Sequence, residues 1–515
     1  MSDPTVTTTY GPVQGVDADG VATFKGIPYG RTTAGGGRFR APQPPEPWTE
    51  PRPCTAYGQS SPQKGVQVGE GPVAEQIATL VADSLVETDQ GEDCLVLNVW
   101  TPALDADEKR PVMVWMHGGA WANSSGSAPI IDGTNLARRG NAVVLTVNHR
   151  LGALGYLYLA GLDPETYPDS GNAGMLDLVA ALEWVRDNIA AFGGDPGNVT
   201  VFGESGGGTK TATLLAMPSA RGLFHKAIIQ SGVMLRARTA EQATETAKAF
   251  VAALGIGLDE LHQLEDVPAD KIVEAQASLA PEGLASLSGG HGFSPVVDGR
   301  SLPQHPFDPV AAPTASDVPL IVGSTKDEIS LYTAIMPGFA DMQEMPAKML
   351  VGLVAGEKAD GLYETYKALR PGQSPGDLVT AILSDMVREG SISLAERKLA
   401  GGTAPVWVYQ FNYETEVFDG ILKATHGLDV AFTFHNVETS PLTGTRPERI
   451  EVADAYADSW VAFATTGDPT IKGQPTWQPY TAEERSMMFF DAPCTVHDDP
   501  FSREHAAWDG IELPF

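Results

Sequence analysis

The sequence predicts an α/β fold with a mostly parallel central sheet covered by helices on both faces. Two observations carry this. Short continuous apolar runs recur along the chain at the length of buried strands, and segments of helical period lie between several of them. Apolar strands that alternate with amphipathic helices cannot bury both sheet faces unless helices cover each side.

Taken in order, Val6 to Val13 and Gly20 to Pro28 read as strands and turns, punctuated by glycine and proline. Gly30 to Pro53, rich in Gly and Pro, reads as a long loop. From Asp93 the rhythm changes. Leu95 to Trp100, Pro111 to Met116, Ala142 to Val147, Val199 to Phe202 and Lys226 to Gln230 each read as strands. Met175, Leu178, Val179, Leu182, Val185 and Ile189 follow helical spacing and give that segment one apolar face. Later strands are Val318 to Gly323 and Ala404 to Tyr413. The stretch from about Tyr332 to Leu399 is helical in pattern, without an obvious strand, and reads as a cap inserted over the sheet. Repeats and low-complexity linkers are absent, so residues 1–515 read as one domain.

Composition sets outer bounds. With 515 residues, 42% of them hydrophobic, the chain has material for a large core. Asp plus Glu (65) outnumber Lys plus Arg (34), a formal charge of -31 that repels nucleic acid and anionic lipid. No run approaches the roughly 18 apolar residues of a membrane helix. The first residues lack both a basic start and an apolar stretch, so no secretory signal is read there, and the cytoplasm is the expected compartment. The sequon Asn198-Val199-Thr200 matters only in a secreted protein. The three cysteines, Cys54, Cys94 and Cys494, have no metal-site spacing, and neither metal nor cofactor is expected.

Gly203-Glu204-Ser205-Gly206-Gly207 matches G-x-S-x-G. Alone the pattern is weak. Here a strand precedes it and a helix from Gly207 to Leu215 follows, which is the setting of a nucleophile elbow. The turn strains the serine backbone, and side chains two residues to either side would collide. A serine hydroxyl needs a base. Among ten histidines, His426 stands in a loop after a late strand, with His435 its nearest competitor. His117, His149 and His225 come too early in the chain for the order Ser, acid, His. The acid belongs between serine and histidine, where Asp327-Glu328 follows a strand; chemistry alone does not separate the two. Small residues at His117-Gly118-Gly119-Ala120, also after a strand, would bring backbone N–H groups close to a developing oxyanion, and Gly206 would supply another.

With these motifs assembled, the chain resembles the type-B carboxylesterases, which include bacterial para-nitrobenzyl esterases, cholinesterases and the non-catalytic neuroligins. Further matching segments are Phe24 to Tyr29, Glu92 to Val99, Asn148 to Gly152, Phe192 to Pro196 and Phe463 to Pro469. The resemblance implies an α/β-hydrolase fold with helical cap insertions, and hydrolysis of small carboxylic esters through an acyl-enzyme. It selects Ser205, Glu328 and His426 as the triad and Gly119, Ala120 and Gly206 as oxyanion donors. It also places Ser231 as a hydrogen-bonding support near the acid. No nucleic-acid or membrane partner is implied. A neuroligin-like binding protein and a specialised carbamate or ester hydrolase are the alternatives; the first loses the nucleophile, which this chain retains.

Departures from the pattern bear on the expectations. Gly206 replaces the usual alanine, and His149 the usual tyrosine. Ser61 stands near the place of the cysteine that pairs with Cys94 in animal members, and Cys54 is offset, which weighs against a disulfide. From Ser61 to Asp93 no aromatic residue occurs, so a quaternary ammonium would lack the cation–π platform of the choline-binding members.

Overall fold

The computed structural model describes residues 3–18, 20–65, 75, 89–104, 107–279, 292–336 and 338–515. Its centre is a sheet of 11 strands. We number them in chain order: β1 (Val16–Ala18), β2 (Val21–Pro28), β3 (Val96–Thr101), β4 (Arg110–Met116), β5 (Val143–Val147) and β6 (Gly194–Glu204), then β7 (Lys226–Gln230), β8 (Leu320–Thr325), β9 (Val406–Phe411), β10 (Ser486–Phe490) and β11 (Thr495–Asp498). Their order across the sheet is β11-β10-β9-β8-β7-β6-β4-β5-β3-β2-β1. From β5 through β10 every neighbouring pair is parallel. The margins, β3 with β5, β2 with β3, β1 with β2 and β10 with β11, are antiparallel.

The strand sequences explain the layering. Successive side chains point to opposite faces, and here they divide between two cores. Val112, Val114 and Met116 of β4 enter one core with Ala227, Ile229, Leu320 and Val322. Met113 and Trp115 enter the other with Phe202, Ile228, Ile321 and Trp407. The first core is closed by helix α1 (Ala173–Asn188), the second by the helix Glu448–Thr466, through residues such as Tyr456, Trp460 and Phe463. Each aliphatic side chain so buried contributes about 1.5–3 kcal/mol. Polar residues at these depths are paired. Arg150 and Asp177, 1% and 0% exposed, make a fork with Nη2 to Oδ1 at 2.6 Å and Nε to Oδ2 at 2.8 Å.

Several expectations are refined. The segment Val6 to Val13 forms two short strands, Thr5–Thr7 and Pro12–Gln14, which join Arg52–Pro53 in a separate small sheet. β6 starts earlier than read, because Gly194 to Asn198 continues the strand despite its glycines and proline. The strands β10 and β11 were not read at all. The stretch after Tyr332 is helical, as expected, and its helices Glu344–Ala355 and Ala359–Leu369 share a third core. The helix Pro375–Gly401 departs from the cap reading: its far end lies on the sheet, where Ile392, Leu394 and Ala395 join the first core. The three cysteines are buried and unpaired. Most of the aromatic-free stretch after Ser61 lies outside the described residues. Among the described residues no helix is long and apolar enough to cross a membrane.

Candidate active site

Ser205 stands between the C-terminal end of β6 and helix α2 (Gly206–Leu214), with φ 55° and ψ -122°. A non-glycine residue held there stores about 1–3 kcal/mol. Its amide donates to the Gln230 carbonyl at 2.8 Å, and its carbonyl accepts from Thr209 at 3.0 Å, so strand β7 and the first turn of α2 hold the turn from both sides. The flanking glycines have no alternative. A Cβ at Gly203 would lie 2.5 Å from the Gly207 carbonyl carbon and 2.6 Å from the Met116 oxygen, and one at Gly207 would overlap the Met116 oxygen.

Glu328, just beyond β8, is 1% exposed. Its Oε1 accepts from the Thr325 amide at 2.8 Å and the Ser231 hydroxyl at 2.5 Å, while Oε2 lies 2.5 Å from Nδ1 of His426. Ser231 thus lies against the Glu328 carboxylate. The acid and histidine loops are stitched together: the Asp327 amide donates to the Ala424 carbonyl at 3.0 Å and the Leu331 amide to Thr425 Oγ1 at 3.0 Å. Asp327 turns from the imidazole, and its carboxylate accepts from the Ala424 amide at 3.4 Å. His435 is elsewhere, with Nε2 2.8 Å from Asp454 and beside Arg139.

Ser205, Gly206, Ala120, Ser231, Glu328 and His426 line one cavity of about 610 Å³. Its walls include Val233, Met234, Ile329, Tyr332 and Val387. Among the described residues no hydrogen bond joins Ser205 Oγ to His426. Nε2 of His426 instead lies 3.2 Å from Oε1 of Glu204. Such contacts often tighten only once substrate is bound.

The loop after β4 is folded back tightly. Gly119 has φ 78° and Ala120 φ 50°. Gly119 O accepts from the amides of Ala122 at 3.2 Å and Asn123 at 3.1 Å. Among the described residues no protein acceptor takes the amides of Gly119, Ala120 or Gly206. Ala120 and Gly206 are in backbone contact: a Cβ at Gly206 would lie 2.5 Å from Ala120 Cα and overlap its N and O. The glycine in place of the usual alanine thus lets the loop sit directly on the elbow.

Two charged residues escaped the sequence reading. Glu204 is the unspecified second position of G-x-S-x-G, and its charge beside the elbow serine was the available signal. Burial pushes its carboxyl up to about 8, with Asp429 and Glu328 adding to the rise and His426 opposing it. At His426, burial opposes the charged imidazole, but Glu204, Tyr332 and Glu328 outweigh it and hold the pKa well above the usual histidine value. Lys210, on α2, is 0% exposed, and burial pulls its ammonium down to about 7. A lone lysine among the small and apolar residues from Gly206 to Leu215 was its signal. His117 and His149 stack at 4.9 Å, and burial together with Lys210 lowers both far below the ordinary range. They are therefore neutral and enclosed. Among the described residues no three of His, Cys, Asp and Glu gather to hold a metal ion.

An elbow serine and a carboxylate–imidazole pair stand together at one cavity on an α/β sheet. Residues 2–508 match the Carboxylesterase family, and the chain belongs to it. It is 37% identical to the para-nitrobenzyl esterase of Bacillus subtilis (strain 168), over 98% of both chains. It is 33% identical to the phenmedipham hydrolase of Pseudarthrobacter oxydans, over 95% of both. Among solved structures, a carboxylesterase of Geobacillus stearothermophilus superimposes with a TM-score of 0.85 at 37% identity, covering 98% of this chain and 100% of that one. The fold is that of the α/β-hydrolases, and the protein is a serine carboxylic-ester hydrolase.

Proposed function

We propose that hydrolysis proceeds by acyl transfer to Ser205, with His426 as base and Glu328 orienting it. The observation that carries this is the Glu328–His426 contact of 2.5 Å at the wall of the cavity that holds Ser205. Glu328 accepts Nδ1–H, which leaves the Nε2 lone pair for the serine proton. Ser205 Oγ attacks the ester carbonyl, and the amides of Gly119, Ala120 and Gly206 receive the oxyanion. Each such donor is typically worth about 3–4 kcal/mol. His426 then returns the proton to the leaving alkoxide, and water repeats the sequence on the acyl-enzyme. Ser231 supports the acid by its hydrogen bond to Oε1.

The substrates we infer are neutral esters of small to medium size. A cavity of about 610 Å³ suits them, with Val233, Met234, Ile329, Tyr332 and Val387 among its walls beside polar residues that include Arg236, Arg238 and His305. The name of the para-nitrobenzyl esterase relative points the same way. We take residues 1–515 to act as one domain, in the cytoplasm. The test is Ser205→Ala: the variant should fold, lose ester turnover by several orders of magnitude, and no longer take up a fluorophosphonate label. Near-normal turnover of a chromogenic short-chain ester by this variant would end the proposal.

A further inference from the structure

The four carbonyls at positions 117 to 120 all have partners. Nζ of Lys210 donates to the carbonyls of His117 at 2.9 Å, Ala120 at 2.7 Å and Gly118 at 3.4 Å, and the Gly118 carbonyl also lies 3.0 Å from Nδ1 of His117. The remaining one, Gly119, is held by the turn it belongs to. Lys210 is wholly enclosed, with the Trp121 ring 5.5 Å from Nζ. Among the described residues it forms no ion pair.

We propose that Lys210 is the positioning residue of the oxyanion loop: its Nζ gathers the carbonyls of His117, Gly118 and Ala120 on one side, so that the Gly119 and Ala120 amides face Ser205 on the other. This rests on the oxyanion assignment made above. The link is peptide geometry. In a trans peptide the N–H of one residue points opposite the C=O of the residue before it. Binding the Gly118 carbonyl, which Lys210 shares with Nδ1 of His117, therefore aims the Gly119 amide away from Lys210, toward the elbow. The Gly119 carbonyl, tied to Ala122 and Asn123, does the same for the Ala120 amide. Binding the two outer carbonyls, His117 and Ala120, clamps both ends of that pair.

The placement is economical. Lys210 and Ser205 belong to the same elbow and helix, so one rigid element carries both the nucleophile and the post on which its oxyanion donors are hung. A loop with glycines at 118 and 119 has many backbone states, and the ammonium selects one of them. The competing account is that Lys210 only fills space in the core. A methionine of similar length would then serve as well, whereas a positioning role needs the donors.

The experiment compares wild type, Lys210→Met and Lys210→Arg. Each is assayed for kcat and KM on a neutral p-nitrophenyl ester, and for inhibition by an aryl trifluoromethyl ketone. In that inhibitor Ser205 Oγ adds to the carbonyl carbon, the C=O π pair becomes the oxyanion, and His426 takes the serine proton. Lys210→Met should lower kcat about 100- to 1,000-fold, the range spanned by loss of an oxyanion donor. KM should stay within about threefold, and affinity for the ketone should fall in parallel with kcat. Lys210→Arg, which keeps charge and donors, should recover part of both. A methionine variant with unchanged kcat and ketone affinity overturns the proposal, as does one that changes KM alone.

A structure of the wild-type ketone adduct covers the case in which the methionine variant does not fold. There, the amides of Gly119 and Ala120 should meet the oxyanion while Nζ still holds the loop carbonyls. Nζ released from the carbonyls or bound to the oxyanion itself refutes the positioning role. Amides that face away from the oxyanion, with the lysine contacts intact, refute the oxyanion assignment instead.

Discussion

Replacing Glu204 by glutamine should move the rising limb of the pH–rate profile toward lower pH. Oε1 of Glu204 lies 3.2 Å from Nε2 of His426, and both side chains are largely shielded from water, at 7% and 19% exposure. The carboxyl is pushed up to about 8, and the imidazole is held well above its ordinary value. Each therefore keeps its proton to higher pH than usual, the imidazole holding one on Nε2, and each titration affects the other. In the proposed mechanism that proton has to leave before Nε2 can accept one from Ser205. Unit charges 3.2 Å apart attract by about 5 kcal/mol at an effective dielectric near 20. An opposite charge at such range moves a pKa by about 1–3 units, and Glu204 is only partly ionised near neutrality, so a shift of about 1–2 units is expected. The sign follows directly: Glu204 raises the imidazole pKa, so its removal lowers it, and below the wild-type limb the variant becomes the faster enzyme. The assay is kcat/KM for a neutral ester from about pH 5 to pH 9, which reports the free enzyme. A limb that stays in place, or moves upward, would refute the coupling.

Glu328→Gln should keep the fold and lose about 10³- to 10⁴-fold in kcat, since the imidazolium loses its compensating charge; Asp327→Asn should stay within about tenfold, and the reverse ranking would show that the acid is misplaced by one residue. Asp177→Asn should destabilise the protein by about 3–5 kcal/mol, because it leaves the Arg150 guanidinium buried without its carboxylate; calorimetry at a matched scan rate would show an unchanged Tm if Arg150 is satisfied by neighbouring carbonyls alone. Dialysis against a chelator should leave ester turnover unaltered, because each proposed step uses Ser205, His426 and backbone amides; a loss restored by added metal would contradict that chemistry.

Much of this was legible in the sequence. β4 through β9 read as strands because a parallel sheet covered on both faces needs unbroken apolar runs, and the elbow read clearly because its glycines answer to backbone contact with Met116. What failed to show depends on three-dimensional register. Asp327 and Glu328 are chemically equivalent in the sequence; only the way the chain leaves β8 against the segment Lys423 to Thr425 turns Glu328 to the imidazole and Asp327 to the Ala424 amide. Glu204 and Lys210 were passed over because a charge inside an apolar pattern gives no hint of which buried group it faces. β11 was missed because its four half-exposed residues carry little periodic signal.

The contact between the elbow and β4 also bears on how the enzyme would respond to laboratory evolution. A library that randomises positions 203 to 207 should return glycine at 203 and 207 for any ester selected, because every larger residue drives into the backbone of Met116 or of the elbow itself. Useful diversity lies instead in the side walls at Val233, Met234, Ile329, Tyr332 and Val387, which line the cavity on separate segments. Selection for a new ester should therefore leave the nucleophile turn unchanged and redraw the chamber around it.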